Sequence, residues 1–203
     1  MGMIYSIGMK IYKAIILLGT LKSKGLSNTQ VLSEFFAGKA QAKGVETEII
    51  KLVDHKIFAG TYTDMGEGDQ WPEIYKKIIE ADFIIFATPI WWNNQSSEMQ
   101  RVIERLDEVH DGIMSSGKSA LDGKVGGIIV TGDSDGAQNV IGNISNFFNA
   151  VGITLPAYAT LTVLSEIQSK GKDTGRDKLL EMYEKDYSKT AETMVEKMIE
   201  QKH

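Results

Sequence analysis

Residues Lys13–Leu18 read KAIILL and stop at Gly19, residues Asp82–Ala87 read DFIIFA, and residues Lys124–Thr131 read KVGGIIVT. Each is a nearly continuous apolar run of strand length. Strands apolar at successive positions fit burial on both faces, as in a parallel sheet covered by helices.

Working outward, helical patterns separate these runs. Ser27–Lys43 places Val31, Leu32, Phe35, Phe36 and Ala40 at three- and four-residue spacing and stops at Gly44. Val45–Leu52 alternates Val45, Thr47 and Ile49 with charged neighbours and predicts a strand. Trp71–Glu80 predicts a short helix with Pro72 in its first turn, where the missing N–H costs little. Ser96–Asp107 predicts a helix with Met99, Val102, Ile103 and Leu106 on one face, and Ser97 and Gln100 stand at capping-box spacing. Gly136–Ala150 turns Val140, Ile141, Ile144, Phe147 and Phe148 inward. Thr154–Leu161, containing Pro156, reads as a fifth and weaker strand, and Thr174–Ile199 as a closing amphipathic helix. Asp107–Gly123, rich in Gly and Ser, reads as a surface insert.

Five strands alternating with five helices through right-handed crossovers predict a doubly wound α/β sheet in the flavodoxin-like order 2-1-3-4-5, with helices on both faces. Residues 1–12 read as an N-terminal extension and 13–203 as a single domain. In such sheets ligands bind beyond the carboxyl ends of the strands. That selects the loops after strands one, three and four.

Composition narrows the function. The 203 residues carry 22 basic and 27 acidic side chains, a net charge of −5, and no Cys. There is no thiolate nucleophile, no Cys-ligated zinc and no all-cysteine iron–sulfur cluster. The acidity argues against broad capture of nucleic acid, which needs a basic face. Lys10 and Lys13 interrupt the apolar start, leaving only Ala14–Leu18 unbroken, too short for a signal or spanning segment. The expectation is a cytoplasmic protein without a membrane role.

The first loop, Gly19–Thr29, combines glycines, hydroxyls, Lys22 and Lys24 with a helix start at Ser27. A helix N-terminus with unpaired N–H groups suits a phosphate. Neither GxxxxGK[ST] nor GxGxxG is present, which counts against nucleoside-triphosphate hydrolysis and a standard dinucleotide fold. On a plainer reading, Ser27 only caps the helix and the lysines are solvated. The second loop, Thr88–Gln95, holds Trp91 and Trp92 directly after a central strand. One is expected to face the core and the other to wall a flat conjugated ring. The third loop, Thr131–Gln138, has glycines that admit a close ligand, and its Asp133 and Asp135 read as a turn and helix cap.

Together these segments resemble the NAD(P)H-dependent FMN reductase branch of the flavodoxin-like superfamily, near the iron–sulfur flavoproteins and multimeric flavodoxin-type quinone reductases. The resemblance covers roughly Lys13 to Ser165. Gly19-Thr20-Leu21-Lys22 and Ser27-Asn28-Thr29 stand where that family holds the FMN phosphate. Thr88-Pro89-Ile90-Trp91-Trp92-Asn93 stands where it contacts the isoalloxazine, and Ser96–Arg105 matches its following helix. Thr131–Gly136 matches its Gly-rich turn only in part. The stretch 54–70 lacks the cysteines of the iron–sulfur members, which implies a flavin-only protein.

The resemblance implies FMN as cofactor and NAD(P)H as co-substrate, with a hydride passed on to a small acceptor such as a quinone or free flavin. It implies Thr20, Lys22, Ser27, Asn28 and Thr29 at the phosphate, Pro89, Ile90, Trp91, Trp92 and Asn93 at the ring, and Thr131, Gly132, Asp133 and Gly136 beside them. It also implies a homodimer or homotetramer. No acid–base side chain is required, because the flavin carries the redox chemistry. Two other readings are a one-electron flavodoxin carrier and a non-enzymatic flavin-binding protein.

Overall fold

The computed structural model describes residues 11–169, 171–172 and 174–202. Strands β1 (Tyr12–Leu18), β2 (Val45–Lys51), β3 (Phe83–Pro89), β4 (Val125–Gly132) and β5 (Thr160–Leu164) form one sheet in the order β2-β1-β3-β4-β5. Every pairing is parallel, so the flavodoxin-like order expected from the sequence is the order found. The α-helices among the described residues are α1 (Asn28–Ala42), α2 (Trp71–Glu80), α3 (Ser97–Arg105), α4 (Glu108–Ser116), α5 (Ala137–Ala150) and α6 (Arg176–Lys202). No described helix is long and apolar enough to cross a membrane. Residues 1–10 of the expected extension lie outside the described residues, while Tyr12 already opens β1 opposite Val45.

The apolar runs sit in the sheet because successive side chains feed two separate cores. Ile15, Leu17, Ile84, Phe86, Ile128 and Val130 pack in one core with Trp71, Ile78, Val102, Val140 and Phe148 from α2, α3 and α5. Ile16, Leu18, Ile85, Ala87 and Ile129 pack in the other with Phe36 of α1 and Tyr183 and Met194 of α6.

Three elements differ from the sequence reading. The fifth strand starts at Thr160, not Thr154. Thr154 makes only an isolated bridge to Val125, then Pro156 removes a donor and Tyr158 turns left-handed at φ 65°, so pairing resumes only at Thr160 opposite Ile128. The insert after Asp107 is helical as α4, closed by left-handed Gly117. Its Ser115 and Ser116 hydroxyls donate to the Gly112 carbonyl, one turn back, instead of breaking the helix. Finally, Ser96 rather than Ser97 caps α3, accepting from the Met99 N–H at 3.2 Å.

Candidate functional site

The first loop is pinned at its base. Gly19 N–H donates to the Ala87 carbonyl at 2.7 Å, and the Ser96 hydroxyl donates to the Gly19 carbonyl at 2.5 Å. A Cβ on residue 19 would stand 2.8 Å from Ser96 Oγ, so the close approach of loop and α3 requires glycine. Ser27 donates to Thr20 Oγ1 at 2.9 Å and accepts from the Gln30 N–H, and both hydroxyl residues are buried. The Lys22 ammonium donates to the Leu26 carbonyl at 2.9 Å, and the Lys51 ammonium donates to the Ser23 carbonyl at 3.0 Å. The backbone N–H groups from Ser23 to Leu26 find no acceptor among the described residues. They lead into the N-terminus of α1, where the helix dipole also favours an anion.

Besides Thr20 and Ser27, two more of the expected phosphate residues spend their side chains within the protein. Asn28 Nδ2 donates to the Gln168 carbonyl at 3.0 Å, and the Thr29 hydroxyl lies 2.6 Å from that of Thr131. Thr29 and Thr131 are both buried. What this end of the fold presents outward is therefore chiefly backbone N–H and the Lys22 side chain.

The second loop departs from β3 after Pro89, with the Ile90 N–H on the Thr131 carbonyl at 2.9 Å. Trp91 and Asn94 exchange N–H···O bonds of 2.8 and 2.9 Å around Trp92 and Asn93, whose φ values are 48° and 63°. Two positive φ values at the centre define a type I′ turn. Trp91 is 40% exposed and Trp92 is 93% exposed, so neither faces the core. This corrects the expected split of one inward and one outward ring: the buried tryptophan of the chain is Trp71. The turn is the reason, since its reversal keeps Trp92 at the tip. The N–H groups of Trp92 and Asn93 have no acceptor among the described residues.

The third loop abuts the second. Gly136 has φ 89°, and a Cβ there would meet Asn93 Oδ1 at 2.6 Å and Asn93 Cα at 3.0 Å. Gly132 lends its carbonyl to Gln168 Nε2 at 3.0 Å. Asp133 and Asp135 are exposed and flank the Ser134 hydroxyl, which donates to both, as a turn would have them. The structure thus brings the loops containing Thr20, Lys22, Ser27, Pro89, Ile90, Trp91, Trp92, Asn93, Gly132, Asp133 and Gly136 to one end of the sheet.

Sequence reasoning missed three residues that build this end. Gln168, the last residue of a short 3-10 turn (Glu166–Gln168), takes Asn28 on its carbonyl, gives its amide to Gly132 and Val163, and accepts the Tyr183 hydroxyl at 2.8 Å. Burial pushes the Tyr183 phenol up, which keeps it a donor. Lys51, at the end of β2, reaches back to the first loop. Arg105 belongs to the helix motif after the second loop, but nothing in its spacing indicated what it holds. Its guanidinium donates to the carbonyls of Tyr62, Phe58 and Thr63 and to Asp69 Oδ2 at 2.6 Å, and lies 5.6 Å over the Trp71 ring. Burial works to raise the Asp69 pKa, but Arg105 and the N–H groups of Trp71, Met65 and Phe58 outweigh it and bring it down to about 2. This buried pair orders the stretch 54–70.

A five-stranded parallel sheet in the order β2-β1-β3-β4-β5, with helices packed on both faces, defines a flavodoxin-like protein. The chain belongs to the NADPH-dependent FMN reductase family, whose sequence profile matches residues 12–163. It is similar to the 8-demethyl-8-aminoriboflavin-5'-phosphate synthase of Streptomyces davaonensis, 32% identical over 72% of this chain and 61% of that protein. It is also similar to the divalent metal cation transporter MntH of Mycobacterium bovis, 34% identical over 72% of this chain and 22% of that protein. The chain spans less than two thirds of the length of either relative. Among solved structures, RosB with bound 8-demethyl-8-formylriboflavin-5'-phosphate matches with a TM-score of 0.77 at 28% identity, covering 94% of this chain and 79% of that one.

Proposed function

We propose that the chain is an FMN-dependent oxidoreductase that takes a hydride from NAD(P)H and delivers it to a small acceptor such as a quinone or free flavin. The observation that carries the reading is the convergence, at the carboxyl ends of β1 and β3, of the N–H groups from Ser23 to Leu26, which find no acceptor among the described residues, with the Trp91–Asn94 turn. The residues present fit FMN. The first loop and the start of α1 offer backbone donors and Lys22 to a phosphate. The tryptophans offer aromatic faces, and the Trp92 and Asn93 N–H groups offer donors to ring heteroatoms. When bound, FMN supplies the hydride chemistry. The protein's part is to hold the phosphate, set the ring against the turn and direct N–H dipoles at the charge that develops there. The exposed Trp92 also supports a homo-oligomer in which a neighbouring copy shelters this end.

A second reading, favoured by the likeness to the flavin-phosphate synthase and to RosB, has a riboflavin-5'-phosphate bound here as substrate instead of cofactor.

The test is to add FMN to the purified protein, gel-filter it, and add NADPH without oxygen. Retained yellow colour that bleaches supports the reductase. Retained colour that does not bleach favours a carrier or binding protein. A flavin whose mass changes on turnover favours the substrate reading. No retained flavin together with no quenching of tryptophan fluorescence by FMN overturns the flavin reading altogether.

A further inference from the structure

We propose that Lys51 is a positioning residue of the first loop, and that through it the site selects a 5'-phosphorylated flavin over the unphosphorylated one; this rests on the flavin reading above. Lys51 is the last residue of β2 and pairs in register with Leu18, the last residue of β1. It therefore stands beside the point where the first loop leaves the sheet. Its ammonium donates to the Ser23 carbonyl at 3.0 Å, and its side chain is only 19% exposed. The nearest carboxylate, Asp54, is 3.8 Å away and half exposed, too loose a pair to account for the placement.

The geometry of the peptide unit supplies the rest. In a trans peptide the C=O and the following N–H point in opposite directions. A hydrogen bond that draws the Ser23 carbonyl toward Lys51 therefore turns the Lys24 N–H the other way. Lys22 does the same at the next bend: it holds the Leu26 carbonyl and so turns away the Ser27 N–H. Two ammonium groups, one within the loop and one on the edge strand, hold two carbonyl oxygens that would otherwise oppose an anion. Lys22, Lys24 and Lys51 also surround the loop with positive charge in a chain whose net charge is −5. A dianionic phosphate ester gains from both effects, whereas riboflavin, which lacks the phosphate, gains from neither.

The experiment measures FMN and riboflavin dissociation constants, by quenching of flavin fluorescence, for the full chain and for Lys51→Met and Lys51→Arg. Methionine keeps an unbranched apolar stem but removes donor and charge. The expected result is FMN binding weakened roughly five- to twentyfold in Lys51→Met, riboflavin binding changed less than about twofold, and FMN binding largely restored in Lys51→Arg. Equal weakening for both flavins, or unchanged FMN binding, overturns the role of Lys51. If the unaltered chain binds neither flavin, the flavin reading itself fails, an outcome distinct from the other two.

Discussion

Thr29 and Thr131, 102 positions apart, place their hydroxyl oxygens 2.6 Å from each other in a buried seam. The bond ties the first turn of α1 to the end of β4, across the strand that lies between β1 and β4. Gln168 continues the seam, joining Asn28, Gly132, Val163 and Tyr183. The loops that would meet a ligand are thus fixed to one another from below by neutral hydrogen bonds, and their backbone N–H groups remain outward.

Replacing Thr131 by Val strands the Thr29 hydroxyl in the core. A buried polar group left without a partner costs about 1–3 kcal/mol. Thr29→Val should cost a similar amount, and the double variant clearly less than the two summed, because no orphan then remains. Urea denaturation of the four proteins measures this, and strict additivity would show that the pair does not act as a unit.

The strands were legible because their burial on both faces wrote itself into the sequence as unbroken apolar runs. Strand β5 was not: Thr154–Leu161 and Thr160–Leu164 both carry plausible patterns, and only pairing with β4 from Ile128 onward decides between them. Helix α4 was hidden by Gly112 and its serines, whose loop preference is overruled by hydroxyl bonds back to the helix backbone. The three loops could be placed from topology alone. The orientation of Trp91 and Trp92 could not, since it follows from two left-handed residues that no local signal announces. Gln168 and Lys51 act through contacts far along the chain, and neither has a spacing that betrays it.

The Arg105–Asp69 pair should appear in the acid limb of stability. The Asp69 pKa falls from an ordinary 3.8 to about 2 in the folded state. A lowered folded value gives stability that is present above the unfolded pKa and lost as pH falls through the folded one. Each unit is worth about 1.4 kcal/mol, so the contribution at neutral pH is on the order of 2 kcal/mol. Asp69→Asn should therefore be less stable than the parent at pH 7, with the gap narrowing between about pH 4 and pH 2. Thermal melts across that range check the sign. Arg105→Leu should cost more, about 3–5 kcal/mol, because it leaves a buried carboxylate without its cation, and limited proteolysis should then cut first within 54–70.

Gly136→Ala tests the contact between the second and third loops. Alanine at φ 89° costs about 1–2 kcal/mol. Its Cβ would also meet Asn93 Oδ1 at 2.6 Å, so the Trp91–Asn94 turn has to move. The expected result is a melting temperature lower by several degrees and weaker FMN binding. Gly142→Ala is the control: it lies within α5 with open space around it, and should be neutral or stabilising by up to about 1 kcal/mol. Equal effects of the two substitutions would mean that neither the left-handed backbone nor the Asn93 contact constrains residue 136.

Trp92 sets stability against function most directly. A tryptophan at φ 48° and 93% exposure bears the strain of the left-handed region and recovers almost nothing by burial. Asparagine tolerates that region and suits the centre of a type I′ turn. On stability alone, Trp92→Asn should gain about 0.5–1 kcal/mol. A strained, solvent-facing aromatic ring is expected where a ligand or a neighbouring chain covers it. The same substitution should therefore weaken FMN binding and reduce the quenching of tryptophan fluorescence on titration. Urea midpoints and FMN titrations of one variant read both sides. A gain in stability with loss of FMN affinity places Trp92 at the ligand. A gain with no loss of affinity, but with a change in sedimentation, moves it to a contact between copies. Loss of stability would show that the ring is held by packing rather than kept for a partner.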